Sequence, residues 1–266
     1  MTHLGRSAFV VGMLTVMLSG TASSAPTVVV AELLNPTPER TVQGTPLTTR
    51  TIFESSLVDL RRVDFESLTI GSRPSTFDFT GSAGTTSAQL SLSDYCLNST
   101  AQRCGVNNDS SVGRYNTTGA TTAAANPGRW WDADGGFTLS FTDAITAFGF
   151  YGTDFGDLQG VLSIDLFREG TDSAVETVPV NHTATSASSK SLVFWGFEDA
   201  IGYRTIRFNI RQVGTDPGRF DVFGFDDMVI GRRATSSVPE PATLALTAIS
   251  LGALVASRRR RTTHRA

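Results

Sequence analysis

The residues of this chain that could do chemistry are mostly acids and aromatics. Its 25 Asp and Glu residues include those of "GTDFGD" (152–157) and "FGFDDMVIG" (223–231), where carboxylates lie beside aromatic-glycine stretches. Two carboxyl groups about 5–10 Å apart can cleave a glycosidic bond, but nothing in the sequence singles out such a pair. Of three histidines, His3 lies at the N-terminus and His264 near the C-terminus, which leaves His182 in the polar turn "VNHTATSASS". A Ser-His-Asp triad would have to use it, and no Gly-x-Ser-x-Gly elbow is present. The histidine count excludes a histidine-rich zinc site. No His-Glu-x-x-His, P-loop or dinucleotide fingerprint occurs. The expectation is a protein that is not an enzyme, with a secreted carboxylate-dependent glycan hydrolase as the alternative.

Aromatic residues offer binding instead. "NPGRWWDADGG" (126–136) sets Trp130 and Trp131 in a stretch flanked by glycine and aspartate that reads as a loop. With Tyr115 and Trp195 they could stack on sugar rings. The competing reading packs one or both indoles in the core.

The elements that must position these residues begin with an export signal. His3 and Arg6 start it, "AFVVGMLTVML" (8–18) is its apolar core, and "SGTASSA" is a small-residue exit. Residues 1–25 are therefore read as a signal peptide, which places Cys96 and Cys104 in an oxidising compartment. There they are expected to close a disulfide over "LNSTAQR", the alternative being a reactive or metal-binding thiol pair. Setting aside Arg6, the five tail arginines and Glu240 leaves 16 basic residues against 24 acids, a body of net charge −8. Such a body has no electrostatic reason to seek nucleic acid or anionic lipid.

The other end is "SVPEPATLALTAISLGALVASRRRR" (237–261). Residues 232–241 form a linker in which Pro239 and Pro241 prevent strand or helix from continuing. Residues 242–257 form an apolar helix, whose 15 uncharged residues from Ala242 to Ala256 would measure about 22 Å, short for a hydrocarbon layer of about 30 Å. Residues 258–266 are an arginine-rich tail, placed at the cytoplasmic face by the positive-inside rule. This order resembles the PEP-CTERM sorting signal of Gram-negative bacteria. Pro239, Glu240 and Pro241 match its signature triplet, and Arg258, Arg259, Arg260 and Arg261 its basic end. The resemblance implies that exosortase, a membrane-embedded cysteine transpeptidase, recognises and cuts the tail. The inner membrane would hold the protein transiently once signal peptidase has acted at the leader. The body would then reach the outer surface or the extracellular matrix of a polysaccharide-producing, biofilm-forming cell. The competing reading is an ordinary C-terminal anchor.

Between the signals, residues 26–61 are Thr/Pro-rich and read as a loose segment with one strand at "TVVVAEL". Residues 62–231 alternate with period two in "AQLSLS", "FTLSF", "AFGFY", "LSIDLF", "ETVPV", "SLVFWGF" and "TIRFNI", with turn residues between them. "DAITAF" reads as a turn entering a strand, and no amphipathic helix longer than about two turns is expected. The fold class is all-β, a β-sandwich of jelly-roll size whose periodicity also fits an immunoglobulin-like topology. Three aromatic-glycine echoes, at 148–157, 194–200 and 223–231, are expected to pack aromatics tightly at strand ends.

"FGFDDMVI" as a closing strand, with "VDFESL" (63–68) near the opening one, resembles galactose-binding-type jelly rolls. That resemblance implies adjacent first and last strands and a structural calcium held by Glu66, Asp226 and Asp227, a role suited to an ion that takes six to eight oxygens. Asp154 and Asp157 are a second candidate metal pair, competing with plain turn chemistry. The functional expectation is a structural or adhesive surface or matrix protein, with extracellular polysaccharide as a partner. The alternative is a carbohydrate-binding module using Trp130 and Trp131.

Overall fold

Alternating apolar positions set the strands, and their register shows how two sheets come to face one another. The computed structural model describes residues 25–36, 42–98, 104–108, 113–117, 128–155, 160–184, 191–211 and 221–234. The leader, Asp157, the Pro-Glu-Pro motif, the apolar tail stretch and the tail arginines lie outside the described residues.

In chain order the elements are β1 (Thr27–Leu33), α1 (Gly44–Ser55), β2 (Leu57–Val63), β3 (Thr76–Gly81) and β4 (Gly84–Leu92). They continue with α2 (Asp94–Asn98), β5 (Cys104–Asn107), β6 (Trp130–Ala133), β7 (Phe137–Thr153) and β8 (Val161–Phe167). The last are β9 (Glu176–Pro179), β10 (Leu192–Arg211) and β11 (Phe223–Arg233). Among the described residues every strand pairing is antiparallel.

Two long strands organise the rest. β7 and β10 form a ribbon whose register shifts between Glu198 and Tyr203, opposite Ala147 and Ile145. There the ribbon turns over. Its first part, Phe137–Phe141 with Thr205–Phe208, is extended by β4 on one side and β8 on the other. Its second part, Ala147–Thr153 with Leu192–Glu198, is extended by β11 and β1. The two parts face each other: Phe141 meets Phe148 at 6.3 Å, and Phe208 meets Phe148 and Phe150 at 6.0 and 5.6 Å between ring centroids. The chain is an antiparallel β-sandwich with aromatic side chains filling the space between its sheets. "FTLSF", "DAITAF" and "AFGFY" are thus one strand rather than two strands and a turn. "SLVFWGF" and "TIRFNI" are likewise parts of β10, because the ribbon folds over through a shift in register within one continuous strand.

The opening and closing strands do adjoin, with Met228 opposite Val63. Residues 26–61, however, are built into the fold. β1 covers the edge of β10, and α1 is a twelve-residue helix lying on the outer face of the second sheet. Pro46 sits in its first turn, where its missing N–H costs no helical bond. Pro46, Arg50 and Phe53 are its buried residues, spaced along one face. An arginine in the middle of that stripe is why the period was not visible as amphipathic.

Candidate functional site

The site is a polar layer between the outer face of the second sheet and the segments above it, and it starts from glycine. In the aromatic-glycine echoes Phe148, Phe150, Trp195, Phe197, Phe223 and Phe225 point into the sandwich, while Gly149, Gly196 and Gly224 point out, on the same side as Tyr151 and Phe194. Gly149 and Gly196 are cross-strand partners, and a Cβ on either would lie 3.1–3.2 Å from the Phe53 ring. Gly224 lies under Arg114: a Cβ there would stand 2.5 Å from Thr153 Oγ1 and 3.1 Å from Arg114 Cβ. The glycines are therefore a floor for α1 and residues 113–117, with Gly149 and Gly196 inside β7 and β10 and Gly224 at the start of β11.

One cluster on this floor centres on Arg50. Its guanidinium lies 4.7 Å over the Tyr151 ring, with Nε 2.7 Å from Glu54 and a terminal nitrogen 3.0 Å from Asp227. Burial alone would lower the arginine's pKa, but the charges of Asp227 and Glu54 outweigh it and hold it up. Burial pushes the Tyr151 phenol up to about 12, against the pull of Arg50. β11 bulges here. Asp226 opposes Tyr151 and Val229 opposes Gly149, so an extra residue is inserted, and Asp227 takes φ +49°. The bulge lets both neighbouring acids serve the same layer. Asp226 accepts from Thr117 N at 2.6 Å and Thr117 Oγ1 at 3.0 Å, and from the Asp227 amide at 2.7 Å. Fully buried and next to Asp227, its carboxyl is held well above the usual carboxylate range, first by desolvation and then by that neighbour's charge.

A second cluster centres on Arg114, which bridges Asp132 at 2.8 Å and Asp154 at 2.9 Å. Asp132 also accepts from Asn107 Nδ2 at 2.7 Å. Both aspartates are buried, so the arginine supplies the charge that keeps them tolerable away from water. Asp221, also buried, accepts from the Gly160 amide at 2.7 Å.

The structure brings Glu66 to the same layer, on the other side of residues 113–117. Its carboxylate accepts from Asn116 Nδ2 and from the Arg129 amide, and its backbone carbonyl accepts from the Arg129 guanidinium. Glu66, Asp226 and Asp227 are therefore neighbours of one segment, but not a calcium cage. Among the described residues no three carboxylates place ligand atoms within 4.8 Å of one another. The group that meets this distance is Cys96, Cys104 and Asp134, and its sulfurs form the Cys96–Cys104 disulfide. Their oxygens are already engaged, Asp227 by the Arg50 guanidinium, Asp226 by Thr117, and Glu66 by Asn116 and the Arg129 amide, so this donor set does not fit calcium. Asp154 is held in the Arg114 ion pair, and Asp157, its partner in the second candidate metal pair, lies outside the described residues.

Trp130 and Trp131 correct a second expectation. Both are 0% exposed. They lie in β6, paired with β5 and β11, and Trp131 packs edge-on to Phe77 at 5.2 Å. They offer no open face to a sugar. Trp195 and Tyr115 are buried as well. Sequence reasoning missed Arg50 and Arg114, whose partners Asp227, Asp132 and Asp154 are distant along the chain and leave no local signal.

Residues 237–261 match the family described as the PEP-CTERM protein-sorting motif. This is an exported, envelope-associated protein with an exosortase-type sorting tail. Among solved structures, the cleaved adhesin domain of Lys-gingipain is similar at 12% identity and TM-score 0.41, over 65% of this chain and 97% of that one. Among curated proteins nothing matches the chain. Among the described residues no helix is long and apolar enough to cross a membrane.

Proposed function

We propose that this protein is a non-enzymatic structural or adhesive component of the extracellular polysaccharide matrix of a Gram-negative bacterium. Exosortase would deliver it there after its tail has been held briefly in the inner membrane. The observation that carries the reading is the sorting motif at 237–261, which begins just after β11 ends at Arg233. The body supports it from another side. The acids of the aromatic-glycine stretches that the structure describes, Asp154, Asp226 and Asp227, are buried in ion pairs or hydrogen bonds with Arg114, Thr117 and Arg50. An acid so engaged is poorly placed to protonate a leaving group or attack a sugar.

The test is a host strain with the chromosomal copy deleted and complemented. Expected are recovery of the protein in the matrix fraction, a matrix weakened by the deletion, and no polysaccharide turnover by the purified body. Sugar release by the body would overturn the non-enzymatic reading. An unchanged matrix would overturn the structural one.

A further inference from the structure

We propose that the end of the sandwich where both chain ends emerge is a membrane-contact face, seated on phospholipid headgroups while the sorting tail is inserted. This rests on the reading that the tail enters a membrane. Strand register brings the two ends together. Thr27, the first residue of β1, pairs with Glu198. Arg233, the last residue of β11, pairs with Leu57, and its Nε lies 3.9 Å from Glu198 Oε1. Ser56 Oγ donates to Glu198 Oε2 at 3.2 Å, and the Ala234 amide donates to the Ser56 carbonyl at 3.1 Å.

The tether that follows is short. Residues 235–241 separate Ala234 from the uncharged stretch that begins at Ala242. Fully extended they reach about 25 Å at most, and crossing the headgroup layer uses roughly 5–8 Å of that. A tail inserted from Ala242 onward therefore keeps this end of the domain, and not the opposite one, close to the bilayer surface.

The side chains at this end fit such a neighbour. Ile52, Val58 and Ile201 are 65%, 45% and 37% exposed, and each lies within four residues of Ser56 or Glu198. Arg232 and Arg233 are exposed beside them, paired with Asp59 and Glu198. Apolar tips set among arginines with long aliphatic stems are suited to an interfacial layer. At the far end of β10, Val161 pairs with Arg211. Val161 has an exposure similar to that of Ile201, which makes it a control for exposure alone.

The experiment places a photo-crosslinking amino acid at Val58, Ile201, Val161 or Leu251 of the full chain, reconstituted in phosphatidylethanolamine–phosphatidylglycerol vesicles. Lipid adducts are counted by mass spectrometry. Lipid adducts at Leu251 report tail insertion. Because interfacial contact fades within about 5–10 Å of depth, Val58 and Ile201 should give at least about fivefold more lipid adduct than Val161. Insertion at Leu251 with Val58 and Ile201 no higher than Val161, or adducts there to a second protein chain instead of lipid, overturns the contact face and leaves the tail reading standing. No lipid adduct at Leu251 overturns both.

Discussion

On the inner face of the sheet made by β11, the second half of β7 and the first half of β10, Phe148, Phe150, Trp195 and Phe225 pack ring against ring. On the outer face of the same strands, Gly149, Gly196 and Gly224 expose a floor that Phe53 and Arg114 cover. The inner face excludes water with apolar side chains alone, Val193, Met228 and Ile230 packing among the rings. The outer face does so with a helix and a five-residue strap held down by ion pairs. The difference shows how a single aromatic-glycine pattern can build two layers at once, since strand alternation sends most of its rings inward and its glycines outward, where Tyr151 and Phe194 flank the floor. It also shows that the buried charges of the outer layer come with a partner, Asp132 and Asp154 with Arg114 and Asp227 with Arg50.

The largest effects should come from breaking each face in its own manner. Arg114→Met leaves Asp132 and Asp154 buried without their cation, and urea unfolding should show a loss of about 3–5 kcal/mol. Phe208→Ala removes the ring stacked 4.1 Å from Phe137 and should cost a similar ~3–5 kcal/mol. If the arginine variant lost less than about 1 kcal/mol, as an exposed pair would, the outer layer would be solvated and the contrast between the faces would fail.

A smaller effect tests the floor itself. Gly149→Ala puts a methyl group 3.1 Å from Phe53 and from Phe194 and should destabilise by about 1–3 kcal/mol. Combining it with Phe53→Ala should cost less than the sum of the two singles, because the collision is then relieved.

The smallest effect is on pH dependence. Asp226 holds its proton more tightly folded than unfolded, so its contribution to stability is full below the ordinary carboxylate value. That contribution is lost as pH rises through the folded value. Asp226→Asn removes this titration. Its unfolding midpoint should therefore fall less than the wild type's between about pH 5 and 8. Equal slopes for the two proteins would mean that Asp226 is ionised within the fold.

What could be read from the sequence were features carried by local pattern. The strands showed in their alternation, the disulfide in the compartment and spacing of Cys96 and Cys104, and the sorting tail in its three-part order. What could not be read depended on partners distant along the chain. α1 was hidden because its buried stripe, Pro46–Arg50–Phe53, looks half polar until Asp227 and Glu54 are seen beside it. Trp130 and Trp131 looked like a loop pair because their glycine-aspartate flanks imitate a turn, whereas β5 and β11 close over them. The calcium expected at Glu66, Asp226 and Asp227 gave way for the same reason: Arg50, Thr117 and Asn116 arrive from elsewhere in the chain to engage the carboxylate oxygens.

The central claim is that this sandwich is cargo and residues 237–261 are its removable address. Mass spectrometry of the C-terminus of the protein isolated from its own host tests it most directly. The account predicts a surface or matrix protein that ends near Pro239–Pro241 and lacks Arg258–Arg261. A protein recovered from the cytosol with its sequence intact through Ala266 would contradict it.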